Sequence, residues 1–278
     1  MNKINPQDLI DKNPIFESMF APLYFKASET LRSDAIITDT KAVEMIDLLD
    51  HDFSYFNKNT SGQFLVSVRT KILDSQIVEF INKTENPVIV NLGAGLDTRF
   101  SRMNSDKIKF WYDIDLHEAI EFRRKFYSDT EKHTSIGKSV LDYSWIDDIE
   151  KDASYNYLFI AEGLLMYLHE DEIKNLLREI NNNFPSSIMI CEVFHTKLVN
   201  YNVKNKAKNK DISFTWGISD TDDLKLLHSD IIVEDEWNMF DYHKNRQKIF
   251  VRLLVRLSPK FRNMVKLVKI RFNKNNNG

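Results

Sequence analysis

The stretch Val88-Ile89-Val90-Asn91-Leu92-Gly93-Ala94-Gly95-Leu96-Asp97-Thr98-Arg99 decides how the chain reads. Its first five residues form a short, largely β-branched run halted by glycine, which predicts a buried strand. Two glycines one residue apart then let the backbone turn sharply and come close to a ligand where a side chain would collide. Position 98 holds Thr instead of the third small residue of a dinucleotide fingerprint, and Asp97 would repel a pyrophosphate. A nucleoside without phosphates suits this turn better than a dinucleotide.

Outward from the turn, β-rich runs recur at Ile108–Tyr112, around His133–Gly137, at Tyr155–Ile160 and at Ser187–Val193, with helix candidates at about 117–128 and 170–183. Strands alternating with helices predict right-handed crossovers and a mostly parallel sheet, which binds ligands beyond the carboxyl ends of its strands. The second run ends in Asp113-Ile114-Asp115. Asp115 lies twenty residues past Gly95, a spacing at which a carboxylate can accept ribose hydroxyls; the other reading is a helix N-cap. Ser139-Val140-Leu141-Asp142 follows the third run. After the fourth comes Ala161-Glu162-Gly163-Leu164-Leu165-Met166-Tyr167-Leu168, where Glu162 ends a strand so apolar that it demands a cation, since an unpaired buried charge is costly. Arg69, Arg99 or the positive groups of a bound cofactor could supply one. Upstream, residues 1–84 read as helical. Val43, Ile46 and Leu49 share one face of a helix capped by Asp39, and Leu73, Ile77, Phe80 and Ile81 stripe a helix over Ser67–Lys83 that Pro87 blocks.

The chain has 278 residues, 42% hydrophobic and 28% charged, which fits one α/β domain with elaborations and excludes a disordered or collagen-like chain. A single cysteine, Cys191, allows no intrachain disulfide. Seven glycines stand where average usage gives about twenty, so each answers a specific backbone need. Gly93, Gly95, Gly163 and Gly217 fall in the segments that look functional and are expected to line one cleft. Met1–Ile10 lacks the apolar run of a secretion signal and no stretch is long enough to cross a bilayer, so a cytoplasmic protein is expected. The seven histidines are scattered, and no metal site is expected. Residues 1–243 carry 27 basic against 41 acidic groups, a net −14, whereas 244–278 carry eleven basic and none acidic. The body therefore repels nucleic acid. In the tail, Arg252, Arg256 and Lys260 recur beside Phe250, Leu253, Leu254 and Leu257, predicting an amphipathic helix on the core or on an acidic surface. Leu267–Phe272 alternates like a half-buried edge strand. The tail reads first as an ordinary solvated basic face, second as a contact for a membrane surface or acidic partner, and last as a nucleic-acid contact.

VNLGAGLDTRF (90–100), WYDIDLHEAIEFRRKF (111–126), SVLDYSW (139–145) and AEGLLMYL (161–168) together resemble the leucine carboxyl methyltransferase superfamily, and most closely its bacterial branch of tetracenomycin-type polyketide O-methyltransferases. Val68–Asp74 and Phe214–Ile218 look like further blocks, so the resemblance covers about 25–220. It implies an α/β, Rossmann-like class I methyltransferase with a mostly parallel seven-stranded sheet flanked by helices. The implied division is a helical N-terminal extension (1–84), a core for S-adenosylmethionine (85–195), a substrate-cap insertion after strand five (196–220), and a C-terminal completion of the core with its basic tail (221–278).

The resemblance further implies that Arg69 binds the methionine carboxylate of S-adenosylmethionine, that Gly93 contacts the methionine moiety by its backbone beside Gly95 and Asp97, and that Asp115 holds the ribose. Ser139 and Val140 would bracket the adenine, with Ser where many relatives carry Asp. Glu162 would lie near the amino group, Tyr167 would face the same cleft, and Lys26 would add an N-terminal cationic contact. The implied reaction methylates a carboxyl or hydroxyl group of a small, polyketide-like molecule or a peptide. A carboxylate acceptor needs no base, whereas a phenol benefits from one, and His195 just past strand five is the candidate. Phe16, Phe20, Tyr24 and Trp216 could wall an apolar acceptor. Two other readings stand beside this one: an NAD-dependent oxidoreductase, which the glycine turn and Asp115 alone allow, and a catalytically silent binding protein, against which Arg69, Gly93, Asp115 and Glu162 argue.

Overall fold

The computed structural model describes residues 3–103, 106–204 and 213–273. Its N-terminal part is helical, as α1 (Gln7–Lys12), α2 (Phe20–Thr30), α3 (Thr40–Leu48) and α4 (Thr60–Lys83). Local chemistry sets the ends of these helices. Asp39 accepts from the Ala42 amide at 2.9 Å to start α3, and Asn59 accepts from the Gly62 amide at 2.9 Å to start α4, seven residues before the start expected from periodicity.

Seven strands follow: β1 (Pro87–Leu92), β2 (Phe110–Asp115), β3 (His133–Gly137), β4 (Asn156–Ala161), β5 (Ile188–Phe194), β6 (Ile231–Asn238) and β7 (Val265–Phe272). Helices α5 (His117–Arg123), α6 (Glu170–Asn183), α7 (Thr196–Lys204), α8 (Ile249–Leu257) and α9 (Pro259–Arg262) lie between them. The sheet order is β3-β2-β1-β4-β5-β7-β6, with β1 to β5 parallel and β7 antiparallel to both its neighbours. This is the doubly wound sheet that the resemblance implies. The strand order reverses between β1 and β4, where ligands of such sheets bind. Register aligns the chemistry there. Leu92 pairs with both Ile114 and Ala161, so the glycine turn, Asp115 and Glu162 emerge side by side at one sheet edge.

One sheet face buries Val88, Val90, Leu92 and Phe159 against Ile173, Leu176 and Ile180 of α6. The other buries Ile89, Trp111 and Leu158 against Val68, Leu73 and Ile77 of α4. A third cluster joins Phe16, Phe20 and Leu23 to Ala42 and Met45, and seats them on Leu96 and Phe122 at the carboxyl edge of the sheet.

Three expectations change. The alternating segment at the end of the chain is not an edge strand, because β7 lies between β5 and β6. Its Lys269 and Arg271 are satisfied by Glu234 of β6, not by water alone. Helix α5 ends at Arg123, short of residue 128. Of the two placements expected for the amphipathic helix, on the core or on an acidic surface, the first is not met, since Phe250, Leu253, Leu254 and Leu257 of α8 are all exposed. The segment expected to be a cap insertion begins with α7, and residues 205–212 of it lie outside the described residues, as do 274–278. Among the described residues no helix is long and apolar enough to cross a membrane.

Candidate active site

The turn after β1 is held open by its backbone. Gly93 and Gly95 adopt φ of +66° and +47°, the left-handed region that L-residues avoid. The Gly93 and Ala94 amides donate to Ile114 O at 2.8 and 3.0 Å, which fastens the turn to β2. Gly95 N then donates to Asp115 Oδ2 at 2.6 Å and Leu116 N to Oδ1 at 2.7 Å. Burial pushes the Asp115 carboxyl above its usual range, and these two amide donors counter only part of that effect. Each of its oxygens keeps a lone pair for a ligand hydroxyl.

Beside this turn opens a cavity of about 340 Å³. Of the residues singled out in the sequence, Lys26, Arg69, Gly93, Gly95, Asp97, Asp115, Ser139, Val140, Glu162, Gly163 and Tyr167 line it. Gly217 does not: a Cβ there would meet Phe194 O at 2.6 Å and Val199 Cγ2 at 2.8 Å, so its role is close packing behind β5. The expectation of four glycines in one cleft therefore holds for three.

The floor is a network of buried charges. Glu162 pairs with Arg69 at 2.6 Å and with Arg99 at 2.5 Å, so both arginines named as candidate partners are used. Arg69 also binds Glu192 at 2.6 Å. Asp97 pairs with Arg99 and, at 3.2 Å, with Lys26, while Arg99 reaches Asp74 at 2.8 Å. Burial opposes the charge on Glu162, yet Arg69 and Arg99 hold its carboxyl below the usual range; Arg99 and Lys26 do the same for Asp97, more strongly. Glu192 goes the other way. Burial raises it, and neighbouring Glu162 adds to the rise beyond what Arg69 offsets. Four carboxylates, Asp97, Asp115, Glu162 and Glu192, thus face the cavity against two cations, Lys26 and Arg69. Arg69 Nε is buried without a partner.

Glu192 is a charged cavity-lining residue that sequence reasoning missed. It sits in Ile188–Phe194, as apolar a strand as the one ending at Glu162, so the same question about an unpaired buried charge would have found it. The Gly163 amide donates to its Oε2 at 2.9 Å.

The remaining wall is apolar, built from Phe16, Met19 and Leu23 before and within α2, and from Leu164, Phe194 and Phe214. Phe214 packs on Tyr167 with ring centroids 5.6 Å apart. Of the expected aromatic walls, Phe16 lines the cavity, whereas Phe20 and Trp216 are buried in the core and Tyr24 stacks on Phe53. His195 is not among the lining residues; its Nδ1 accepts from the Lys197 amide at 3.0 Å, and burial with nearby lysines keeps the ring neutral. Tyr167 is raised by burial and by Glu192, so its phenol stays protonated. Thr98, at the place of a third glycine, is fully buried and bonded to Lys26 and Asp39. With Asp97 beside it, a pyrophosphate has no cradle here, which removes the geometric support for an NAD-dependent oxidoreductase.

Comparisons with known proteins bear on the family and the fold. The sequence profile described as "Leucine carboxyl methyltransferase" matches residues 11–181. The chain is similar to the "Tetracenomycin polyketide synthesis O-methyltransferase TcmP" of Streptomyces glaucescens, 26% identical over 228 residues, covering 82% of this chain and 84% of that protein. It is similar also to the "S-adenosyl-L-methionine-dependent methyltransferase dpfgK" of Gibberella zeae, 24% identical over 229 residues, covering 75% of this chain and 77% of that protein. Among solved structures, a DUF574 family protein from Streptomyces avermitilis shares the fold with a TM-score of 0.52 at 8% identity, over 76% of this chain and 83% of that one.

Proposed function

The chain belongs to the leucine carboxyl methyltransferase family, and from that premise we propose that its cavity methylates an oxygen, foremost a carboxylate oxygen, of a small apolar acceptor of polyketide-like character. The carrying observation is one cavity that joins a charged, glycine-lined half at the strand ends to an apolar half roofed by the N-terminal helices. The protein is an enzyme that uses S-adenosylmethionine, the cofactor carried in the name of its relative dpfgK. The cavity fits that cofactor. Its excess of carboxylates suits a molecule with two positive groups, and Arg69, which lines it, suits the one negative group.

When bound, the cofactor supplies a methyl group activated by a sulfonium. The chain's residues would then hold it in place. Asp115 accepts the ribose hydroxyls, Ser139 and Val140 border the adenine, Arg69 takes the carboxylate, and Glu162 faces the amino group, with Glu192 fixing the Arg69 guanidinium at 2.6 Å. Lys26 and Arg99 hold Asp97 and Glu162 charged, so the floor stays anionic at neutral pH. The acceptor half excludes water through Phe16, Leu23, Phe194 and Phe214, and Tyr167 donates a hydrogen bond to the acceptor. A carboxylate is ionised at pH 7 and needs no base. That matches a cavity lined by no histidine among the described residues. We do not assign a catalytic role to His195.

The experiment offers purified protein a panel of apolar carboxylic acids and phenols together with S-adenosylmethionine deuterated at its methyl group. Mass spectrometry should find a labelled methyl ester or ether, with carboxylic acids the better acceptors. Label recovered on nitrogen or carbon would overturn the assignment.

A further inference from the structure

Eleven cations and no acid stand between Lys244 and Gly278, and the fold sorts the described ones into two groups. Five are matched inside the molecule. Arg246 binds Glu29 at 3.1 Å, Arg262 binds Asp241, Lys266 binds Glu236 at 3.0 Å, and Lys269 and Arg271 share Glu234. The other five, Lys244, Lys248, Arg252, Arg256 and Lys260, are exposed and have no carboxylate partner among the described residues. All five lie along or immediately beside α8.

The same helix leaves its apolar side uncovered. Phe250, Leu253, Leu254 and Leu257 follow the i, i+3, i+4, i+7 spacing of one stripe, and they are 59%, 52%, 44% and 78% exposed; Ile249 beside them is 75% exposed. Only Val251 and Val255, on the opposite side, are half-buried. Arg252 and Arg256, one turn apart, lie on the exposed flank between Ile249 and the half-buried valines. The helix is held at both ends while this face stays free. Before it, Gln247 Nε2 donates to Phe240 O at 2.8 Å and to Tyr242 O at 2.9 Å; after it, Ser258 caps α9 by accepting from the Phe261 amide at 3.2 Å, and Phe261 stacks on Phe240.

We propose that α8 is an interfacial helix that docks the enzyme on an anionic lipid surface, with its leucines and Phe250 seated among the acyl chains and its unpaired Lys and Arg side chains against the headgroups. An apolar stripe bordered by cations without acids is the pattern that binds such a surface, and each basic residue there adds attraction that salt weakens. Charge decides against a second copy of the chain. Two such helices face to face would bring their arginines together with no acid on either helix to neutralise them. Arg246 also joins this segment to α2, whose Leu23 and Lys26 line the cavity, so the docked face and the acceptor half share one support.

The test is flotation of the full chain with vesicles of phosphatidylcholine alone and of phosphatidylcholine mixed with phosphatidylglycerol. The protein should float with the mixed vesicles and release as salt rises. Leu253→Ser/Leu257→Ser and Arg252→Gln/Arg256→Gln should each weaken partitioning about tenfold or more, with an unchanged circular dichroism spectrum because all four positions are exposed. Failure to float with the anionic vesicles would overturn the proposal, as would flotation that both variants retain. So would a dimer, seen by light scattering, that the serine variant dissociates, because the stripe would then be covered by a second copy.

Discussion

Glu162 concentrates the residue-scale argument. It ends an apolar strand, and its two oxygens take one arginine each, from α4 and from the turn after β1. Glu162→Gln keeps the shape and removes the charge, leaving Arg69 and Arg99 short of a counter-ion in a buried site. Loss of about 3–5 kcal/mol in urea unfolding is expected, the cost of breaking a buried pair. The pH dependence carries a sign. The folded protein holds the Glu162 and Asp97 carboxyls below the range they have when unfolded, so their contribution is complete above about pH 5 and fades as pH falls through that range. Glu192 and Asp115, raised by burial, act oppositely and favour the folded state as acid protonates them. The variant should therefore show a shallower acid loss than the native chain; an identical loss would place the titration elsewhere. That Glu162 wants a cation was legible in the sequence, because charge beside an apolar run is a local signal. Which arginines answer it is a matter of tertiary placement, and Glu192 passed unnoticed because it lies within its strand instead of beside a motif.

Among the elements, the glycine loops show what local sequence conveys and what it cannot. Gly163 has φ +65°, and a Cβ added there would meet nothing nearer than 4.0 Å, so Gly163→Ala faces backbone strain alone, about 1–2 kcal/mol. Gly217 is the reverse case. Its added Cβ would press on Phe194 O at 2.6 Å, and Gly217→Ala should cost about 1–3 kcal/mol by overpacking. Denaturant unfolding checks both. Titration with S-adenosylhomocysteine separates them further: Gly163→Ala should weaken binding, because relief of the backbone strain shifts the amide that fixes Glu192, and Gly217→Ala should leave it unchanged. Sequence located both glycines but not their neighbours. For β7 periodicity misled in a different way: alternation of Val268, Lys269, Ile270 and Arg271 signals one polar face, and that face is satisfied here by Glu234 of the true edge strand. The amphipathic pattern of α8 has the same ambiguity, since a stripe looks alike whether it faces the core or the outside.

For the whole molecule, the alternation of strands and helices was enough to foresee a mostly parallel sheet, because each apolar run of this length must be covered on both faces, whereas the Rossmann-like class I methyltransferase form of that sheet was implied by the four motif blocks and their family resemblance. The register that brings Gly95, Asp115 and Glu162 to one edge follows from the same topology. The packing of the N-terminal helices over that edge does not follow, as it depends on contacts such as Phe16 and Leu23 against Leu96 that are remote in sequence. Everything proposed for the cavity rests on its being the cofactor site. Calorimetric titration of S-adenosylhomocysteine into the native chain and into Asp115→Ala tests this most directly. One binding site is expected in the native protein, and affinity weakened by about 1–3 kcal/mol in the folded variant, the size of lost hydrogen bonds to a charged group. No binding by the native chain, or equal affinity in the two, would contradict it.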